Sequence, residues 1–212
     1  MSRIDHSKQA AEVFDKLAGL YQQRFMDVSA YGAELDAFIE CLPQPSPSIL
    51  EIACGPGNIT RYLLDRLPAA RILGTDLAPA MIELARANCP DATFEVMDCR
   101  QLDQLKEKFD AVIAGFCLPY LNPAEAAELF SSISLLLNKG GLLYLSTIEG
   151  EREKSGIKKG STGDEVFQFY YPATDLSNWA LQAGFRLISL HSTVVQNNVH
   201  ADTDLILIAT KK

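Results

Sequence analysis

The chain has 212 residues, 48% of them hydrophobic, and a formal net charge of −8 at pH 7. A chain of this length supplies one well-buried core, so we expect a single domain with local additions. The acidic balance argues against affinity for polynucleotides, because proteins that neutralise phosphates carry a basic face. We therefore expect no nucleic-acid partner.

The cysteine pattern indicates a reducing compartment. The five cysteines are scattered without any C-x-x-C pair, so neither a disulfide framework nor a zinc site is indicated and we expect no metal. The opening segment, MSRIDHSKQAAEVFDKLAG, carries acids early and lacks an apolar signal core, and no stretch approaches the ~18 uninterrupted apolar residues of a membrane span. We expect a cytoplasmic protein that does not insert into a membrane. The oligomeric state is not indicated.

Strand and helix patterns alternate along the chain after two helical patterns within residues 5–42. Short apolar runs ended by small or acidic residues are typical of buried parallel strands, and their alternation with helices predicts a sheet covered on both faces. We predict a helical cap over residues 1–44 and a core over residues 45–212. The predicted core strands are 48–54, 71–77, 92–97, 109–116 and 140–147, and the predicted helices between them are 58–67, 78–88 and 123–137.

The C-terminal part breaks this rhythm. Segments 185–195 and 203–210 are both strand-like, but only the residues QNNVHAD separate them, which is too short for a crossover helix and predicts an antiparallel hairpin. The expected fold is α/β: a doubly wound, mostly parallel seven-stranded Rossmann-like sheet with an antiparallel C-terminal hairpin and an N-terminal helical cap. Residues 149–184 form a substrate-side insertion, in which the charged, glycine-rich stretch 149–165 is expected to be a mobile loop.

The motif EIACGPGN, residues 51–58, joins the first core strand to a helix through two glycines that bracket a proline. A strand that ends in G-x-G and turns directly into a helix brings backbone N–H groups and the helix N-terminus close to a ligand, with no Cβ in the way. The pattern predicts a site for a nucleotide derivative. It lacks the third glycine of the dinucleotide fingerprint G-x-G-x-x-G, since Asn58, Ile59 and Thr60 follow Gly57.

This motif resembles the first motif of class I S-adenosylmethionine-dependent methyltransferases, an acid followed by a small residue and G-x-G after the first strand. Two further acids fit the order of that family: Asp76 ends the second strand, where the family binds ribose, and Asp98 follows the third, where it reads adenine. The antiparallel hairpin is also a hallmark of the family, and the resemblance covers roughly residues 45–210. It implies S-adenosyl-L-methionine as the cofactor.

The resemblance also implies roles for individual residues. Gly55 and Gly57 would let the methionine part of the cofactor lie against the backbone, and Glu51 would face its ammonium group through water. Asp76 would accept charge-assisted hydrogen bonds from the ribose hydroxyls, and Asp98 would accept one from the adenine amine. The expected cofactor-binding residues are Tyr21, Glu51, Ala53, Gly55, Gly57, Asn58, Asp76, Leu77, Met81, Asp98, Cys99, Gly115 and Phe116.

Each of these features has a simpler interpretation when taken alone. A G-x-G can be only a tight turn, and Asp76 or Asp98 can be a helix cap or turn residue; their joint spacing over successive strand–helix units favours the cofactor site. Two other functions stay open. An NAD-dependent oxidoreductase would use the same loop but with the third glycine, and a non-catalytic protein that binds S-adenosylmethionine or S-adenosylhomocysteine would keep both acids without an acceptor pocket.

No motif identifies the methyl acceptor. The loop GFCLPYL at residues 115–121 lacks the D/N-P-P-Y signature of family members that methylate amide or exocyclic amine nitrogens. We expect a small-molecule acceptor enclosed by the N-terminal helices and the aromatic segment 166–180, with Tyr21 and Tyr31 closing over it. Methyl transfer needs alignment more than a base, so the catalytic residue stays unknown. The candidate proton acceptors are Tyr170, Tyr171, His191, His6 and His200.

Overall fold

The computed structural model describes residues 4–194 and 203–212. Its strands are β1 (Ser48–Ile52), β2 (Arg71–Asp76), β3 (Thr93–Val96), β4 (Phe109–Gly115), β5 (Leu137–Ile148), β6 (Gly156–Lys159), β7 (Glu165–Gln168), β8 (Phe185–Val194) and β9 (Thr203–Lys211). Its α-helices are α1 (His6–Phe25), α2 (Gly32–Glu40), α3 (Asn58–Arg66), α4 (Pro79–Asn88), α5 (Pro123–Leu136) and α6 (Ala173–Gln182).

Seven of these strands form one sheet in the order β3-β2-β1-β4-β5-β9-β8. β1 is parallel to both of its neighbours, β2 and β4, whereas β9 is antiparallel to both β5 and β8. The predicted fold class is therefore confirmed, including the antiparallel pair at the C-terminal edge. Residues 195–202, which contain the predicted hairpin turn and His200, lie outside the described residues.

Side chains of the central strands alternate between two helical layers. Leu50 and Val112 pack with Phe130 of α5 in one core, whereas the neighbouring strand residue Ile49 packs with Phe38 of α2 in the other. Burial on both faces explains why the central strands are apolar runs rather than alternating patterns. The carboxyl ends of the parallel strands are then the natural place for a ligand.

The stretch 149–165 contains regular structure that its glycines and charges did not indicate, and its mobility stays a prediction. It contains a 3₁₀ turn, Arg152–Lys154, and strand β6, which pairs with β7 as an antiparallel ribbon. The ribbon docks on α1: the His6 ring stacks on Phe167 with centroids 4.3 Å apart, and Lys16 Nζ lies 2.7 Å from Asp164 Oδ1. Backbone pairing and these contacts fix the position of the segment. Its sequence is polar because most of its surface faces solvent.

Helix α1 also packs on α4 and closes one side of the sheet edge. Its N-cap residue Asp5 accepts a hydrogen bond from Lys8 N (3.1 Å), and Asp15, further along, accepts one from Ala80 N (2.7 Å) in the first turn of α4. Since α4 has no side-chain cap of its own at Ala78, α1 supplies one across the interface. None of the helices in residues 4–194 and 203–212 is both long and apolar enough to cross a bilayer.

Candidate active site

A cavity of about 120 Å³ lies between α1 and the carboxyl ends of β1, β2, β3 and β4. One ordered water needs only ~10–15 Å³, so this cleft has room for an organic ligand. It is lined by Ser7, Ala10, Ala11, Phe14, Tyr21, Ala53, Gly55, Asp76, Leu77, Met81, Met97, Asp98, Cys99, Gly115, Phe116, Cys117 and Tyr120.

The backbone at two strand ends is held in a conformation that residues with a Cβ rarely adopt. Ala53, just after β1, has φ 54°, and Phe116, just after β4, has φ 52°; among the described residues no other non-glycine residue has a positive φ. Both line the cleft. Backbone strain of this kind is kept at ligand and active sites, because the surrounding structure must enforce it.

The glycine loop is shaped by its surroundings. Gly55 has φ 53°, and a Cβ there would lie 3.7 Å from Tyr21 Cε1, so the Tyr21 ring faces this turn across the cleft. Gly57 has φ 81°, and a Cβ there would come within 3.2 Å of Cys89 Sγ and 3.4 Å of Ala85 Cα. The two glycines of the motif therefore have different roles. Gly55 lets the loop turn beside the cleft, whereas Gly57 lets α3 pack closely against α4.

Asp76 sits at the centre of the cleft, at the end of β2. Its Oδ2 accepts a hydrogen bond from Gly55 N (2.9 Å) and its Oδ1 accepts one from Ala78 N (2.9 Å). Burial raises the pKa of this carboxyl, and backbone hydrogen bonds from Ala78, Gly55 and Leu77 oppose that shift. A carboxylate has about four acceptor positions, so this one keeps capacity for a hydroxyl donor of a ligand.

Asp98 also lines the cleft, but the guanidinium of Arg100 engages its carboxylate, with Nη2 2.6 Å from Oδ2 and Nε 2.9 Å from Oδ1. Burial works against ionisation here, yet the Arg100 hydrogen bonds prevail and lower the pKa of Asp98 below its ordinary value. Arg100 also binds Asp5 at the start of α1 and Glu125 of α5. The residue expected to read adenine thus belongs to an ion-pair cluster that ties α1 to the core.

Aromatic side chains form the wall opposite the glycine loop. The Phe14 ring contacts Tyr21 edge-to-face at 5.7 Å and Tyr120 at 5.1 Å between centroids. Burial, with a smaller contribution from the charge of Asp76, raises the pKa of Tyr21 to about 12. Tyr21 is therefore a neutral hydroxyl at physiological pH rather than a base.

Ten of the thirteen residues expected to bind a cofactor line the cleft, and Glu51, Gly57 and Asn58 do not. Glu51 is 1% exposed and accepts a hydrogen bond from the Thr60 hydroxyl beneath the loop. Asn58 begins α3 and its side-chain amide donates to Phe25 O (3.0 Å) at the end of α1. These residues support the loop from behind.

None of the four candidate proton acceptors within the described residues lines this cleft. Tyr171 is fully buried and its hydroxyl donates to Leu121 O, while Tyr170 packs against Lys158, whose Nζ lies 4.9 Å from the ring centroid. His191 is exposed on β8, 3.4 Å from Glu34. His6 stacks on the ribbon as described above. No residue of the segment 166–180 is part of the cleft wall.

Sequence reasoning missed seven lining residues: Ser7, Ala10, Ala11, Phe14, Met97, Cys117 and Tyr120. The residues on α1 belong to no recognisable motif. Their spacing could have indicated them, because residues 7, 10, 14, 18 and 21 recur at intervals of three and four, which places small and aromatic side chains on one face of a helix.

Comparison with known proteins gives matches to methyltransferases. Residues 49–141 match the family described as "Methyltransferase domain". A trans-aconitate 2-methyltransferase from Escherichia coli O7:K1 is 41% identical over 95 residues, which are 45% of this chain and 36% of that protein. The match thus spans little more than a third of the length of that curated relative.

Solved structures match over more of the chain, at low identity. Magnesium protoporphyrin IX methyltransferase from Synechocystis PCC 6803 with bound SAM has a TM-score of 0.76 and 17% identity and covers 100% of both chains. A SAM-dependent methyltransferase from Methanosarcina mazei has a TM-score of 0.71 and 19% identity, covering 82% of this chain and 96% of the other. At these sequence identities the similarity shows a shared fold and nothing more.

Proposed function

We propose that this chain, whose residues 49–141 match the family described as "Methyltransferase domain", is a class I S-adenosylmethionine-dependent methyltransferase that transfers a methyl group to a small-molecule acceptor. The observation that carries the proposal is Asp76, whose carboxylate stands in the cleft with both oxygens fixed by backbone N–H groups and with acceptor capacity left over.

The residues of the cleft fit the proposed cofactor. The ribose hydroxyls would bind Asp76, the methionine part would lie along Ala53 and Gly55, and the apolar side chains of Leu77 and Met81 would contact the adenine. The strained φ angles of Ala53 and Phe116 at the same cleft support a ligand site. Asp98 would serve the adenine amine only if Arg100 yields one of its hydrogen bonds to that carboxylate.

When bound, S-adenosylmethionine would supply a methyl group on its sulfonium, and the acceptor would take that methyl group by in-line displacement with the neutral thioether as the leaving group. The chain's own residues then have two tasks, which are to align the acceptor and to exclude water. The apolar ring surfaces of Phe14, Tyr21 and Tyr120 exclude water from the cleft. The hydrogen bond between Asp5 and Arg100 holds the N-terminus of α1 against the core. None of the lining residues, all of which the structure describes, is a histidine, which suits a reaction without a dedicated base.

A small acceptor suits this enclosure better than a polymer. The cleft is roofed by α1 along its length, and the chain carries a net charge of −8. The similar proteins named above are a trans-aconitate and a magnesium protoporphyrin IX methyltransferase, both named for small molecules. These facts support a small-molecule acceptor without selecting one.

Thermal unfolding tests the cofactor. S-adenosylhomocysteine at ~100 times its Kd is expected to stabilise the protein by about 2.7 kcal/mol, which raises the Tm of a chain of this size by roughly 5 to 11 °C. NAD at the same concentration is expected to leave Tm unchanged, because the loop lacks the third glycine of the dinucleotide fingerprint. A larger shift with NAD than with S-adenosylhomocysteine would refute the proposed function.

A further inference from the structure

Helix α1 forms one wall of the cleft, yet apolar burial anchors it only weakly. It supplies five side chains to the lining, those of Ser7, Ala10, Ala11, Phe14 and Tyr21. Of its twenty residues, all of them described, two are buried, Ala10 and Ala18, whereas the fourteen residues of α5 include five buried ones. An element with few buried apolar contacts opens locally at a low cost in free energy. Polar contacts therefore decide how firmly α1 is held over the cleft.

A guanidinium group holds the N-terminus of α1. Arg100 Nη1 lies 3.0 Å from Asp5 Oδ1, and Arg100 Nη2 lies 3.0 Å from Asp5 Oδ2. The pair is bidentate, which is the strong and geometrically specific form of an arginine–carboxylate contact. The Arg100 side chain is 21% exposed and the Asp5 side chain 34%, so dissolved salt screens their attraction in part.

The same guanidinium also binds a residue of the cleft lining. Its Nε donates to Asp98 Oδ1 (2.9 Å), its Nη2 donates to Asp98 Oδ2 (2.6 Å), and its Nη1 donates to Glu125 Oε1 (3.0 Å). An arginine side chain has five N–H donors, and with the two bonds to Asp5 all five are engaged. Three carboxylates thus share one cation, so a weaker bond to one of them favours the bonds to the other two.

Arg100 already occupies the acceptor positions of Asp98. Oδ1 of Asp98 accepts from Arg100 N (3.0 Å) and Nε (2.9 Å), and Oδ2 accepts from Nη2 (2.6 Å) and, at 3.1 Å, from Nε. A carboxylate has about four acceptor positions. A hydrogen-bond donor of a ligand in the cleft can therefore bind Asp98 only by taking one of these positions from Arg100.

From this arrangement we infer that Arg100 is a positioning residue that couples a ligand at Asp98 to closure of α1. The inference rests on the proposed function and deepens it, because the ligand is then S-adenosylmethionine or S-adenosylhomocysteine and the donor at Asp98 is its adenine amine. Arg100 is outside the cleft lining and acts through its partners. The amine shifts the guanidinium toward Asp5, and α1 is held more firmly over the ligand. Coupling of this kind is reciprocal, so breaking the contact between Asp5 and Arg100 weakens ligand binding.

Asp5→Asn tests the contact without disturbing the helix end, because asparagine is as good an N-cap as aspartate and can still accept from Lys8 N. In the full chain, labelled S-adenosylhomocysteine chased with unlabelled ligand is expected to dissociate roughly 5- to 30-fold faster from this variant than from the wild type. That range lies between the values for an exposed ion pair and for a charged hydrogen bond. Raising the ionic strength from about 0.05 M to about 0.5 M should speed dissociation from the wild type and have little effect on the variant, which no longer has the screened ion pair.

Asp175→Asn is the matched control. Asp175, in the first turn of α6, lies 2.6 Å from Arg152 Nε and is outside the cleft lining. Its replacement is expected to change the dissociation rate by less than about 2-fold. If Asp5→Asn and the wild type agree within about 2-fold, the inference is overturned and the proposed function stands. A wild type that does not bind S-adenosylhomocysteine overturns both.

Hydrogen exchange of the α1 backbone amides tests the coupling itself. Saturating S-adenosylhomocysteine is expected to slow exchange over residues 8–14 by roughly 5-fold or more in the wild type, the lower end for coupled sites, and by less than about 2-fold in Arg100→Lys. Lysine keeps the positive charge, but its three donors lie on one nitrogen and cannot bridge Asp98 and Asp5 as the guanidinium does. Equal protection by the ligand in both proteins would contradict the inference. If Arg100→Lys does not fold, the same comparison with Asp5→Asn decides the matter.

Discussion

Replacing Asp76 by alanine is expected to weaken binding of S-adenosylhomocysteine by about 10- to 150-fold. The substitution removes a charged acceptor from the cleft, and hydrogen bonds to charged groups are worth about 1.5 to 3 kcal/mol, which converts to that change in Kd. It also leaves Gly55 N and Ala78 N without their partner. Isothermal titration at pH 7 measures the change, and the melting temperature of the free variant shows whether the loop survives.

An aspartate at the opposite edge of the sheet gives a matched control for this variant. Asp110, in β4, accepts hydrogen bonds from Ser48 N (3.0 Å), Ser48 Oγ (2.9 Å) and Asn138 (2.9 Å) and lies outside the cleft lining. Asp110→Ala is expected to lower stability but to change the Kd for S-adenosylhomocysteine by less than about 2-fold. If Asp76→Ala stays folded with unchanged affinity, Asp76 is only a cap for the start of α4.

The sheet was predictable because strands that are buried on both faces consist of continuous apolar runs. Runs such as SILEIAC at residues 48–54 are apolar without alternation, and the short link after β8 admits only an antiparallel return. The resemblance carried by EIACGPGN is confirmed by the matching family over residues 49–141 and by the fold of the solved methyltransferases. Strand and loop together predict where a ligand binds.

The parts that sequence reasoning missed depend on contacts between distant segments. The ribbon β6-β7 is polar and glycine-rich because it is exposed, and what orders it is pairing and docking on α1, neither of which has a local pattern. Arg100 gathers Asp5, Asp98 and Glu125 from three separate parts of the chain. The cluster can be seen only in the folded structure. The same is true of Arg100 as a partner of Asp98 that would compete with an adenine amine.

The candidate catalytic residues lie outside the cleft lining for a related reason. Tyr170 and Tyr171 follow a loop near the sheet's carboxyl edge, where substrate contacts are common, yet position along the chain does not fix which way a side chain points. In the structure Tyr171 points into the core, while the unselected Tyr120, in the turn after β4, lines the cleft. The binding roles of the cleft residues stay predictions, which the Asp76 variant tests directly.

Glu51→Gln is expected to make the free protein more stable at alkaline pH than the wild type. Burial raises the pKa of Glu51 to about 8 from an ordinary value of 4.5; the Thr60 hydrogen bond opposes the shift, and the charge of Asp76 adds to it. Between these two values the folded chain holds a proton that the unfolded chain has lost, so the free energy of unfolding falls as pH rises. Below about 4.5 both states are protonated, and above about 8 the loss is complete.

Glutamine removes this pH dependence because it cannot ionise, and its carbonyl oxygen still accepts the hydrogen bond from Thr60. The stabilisation should therefore grow from near zero at pH 4.5 to on the order of 3 to 5 kcal/mol at pH 9, or roughly 6 to 20 °C in Tm. Denaturant titrations across that range measure it. Glu95→Gln, an identical change at an exposed position in β3, should move stability by less than about 0.5 kcal/mol at any pH. A constant offset between Glu51→Gln and wild type across the whole range would mean that Glu51 is ionised in the folded chain, and the carboxyl behind the glycine loop would then carry its charge before any ligand arrives.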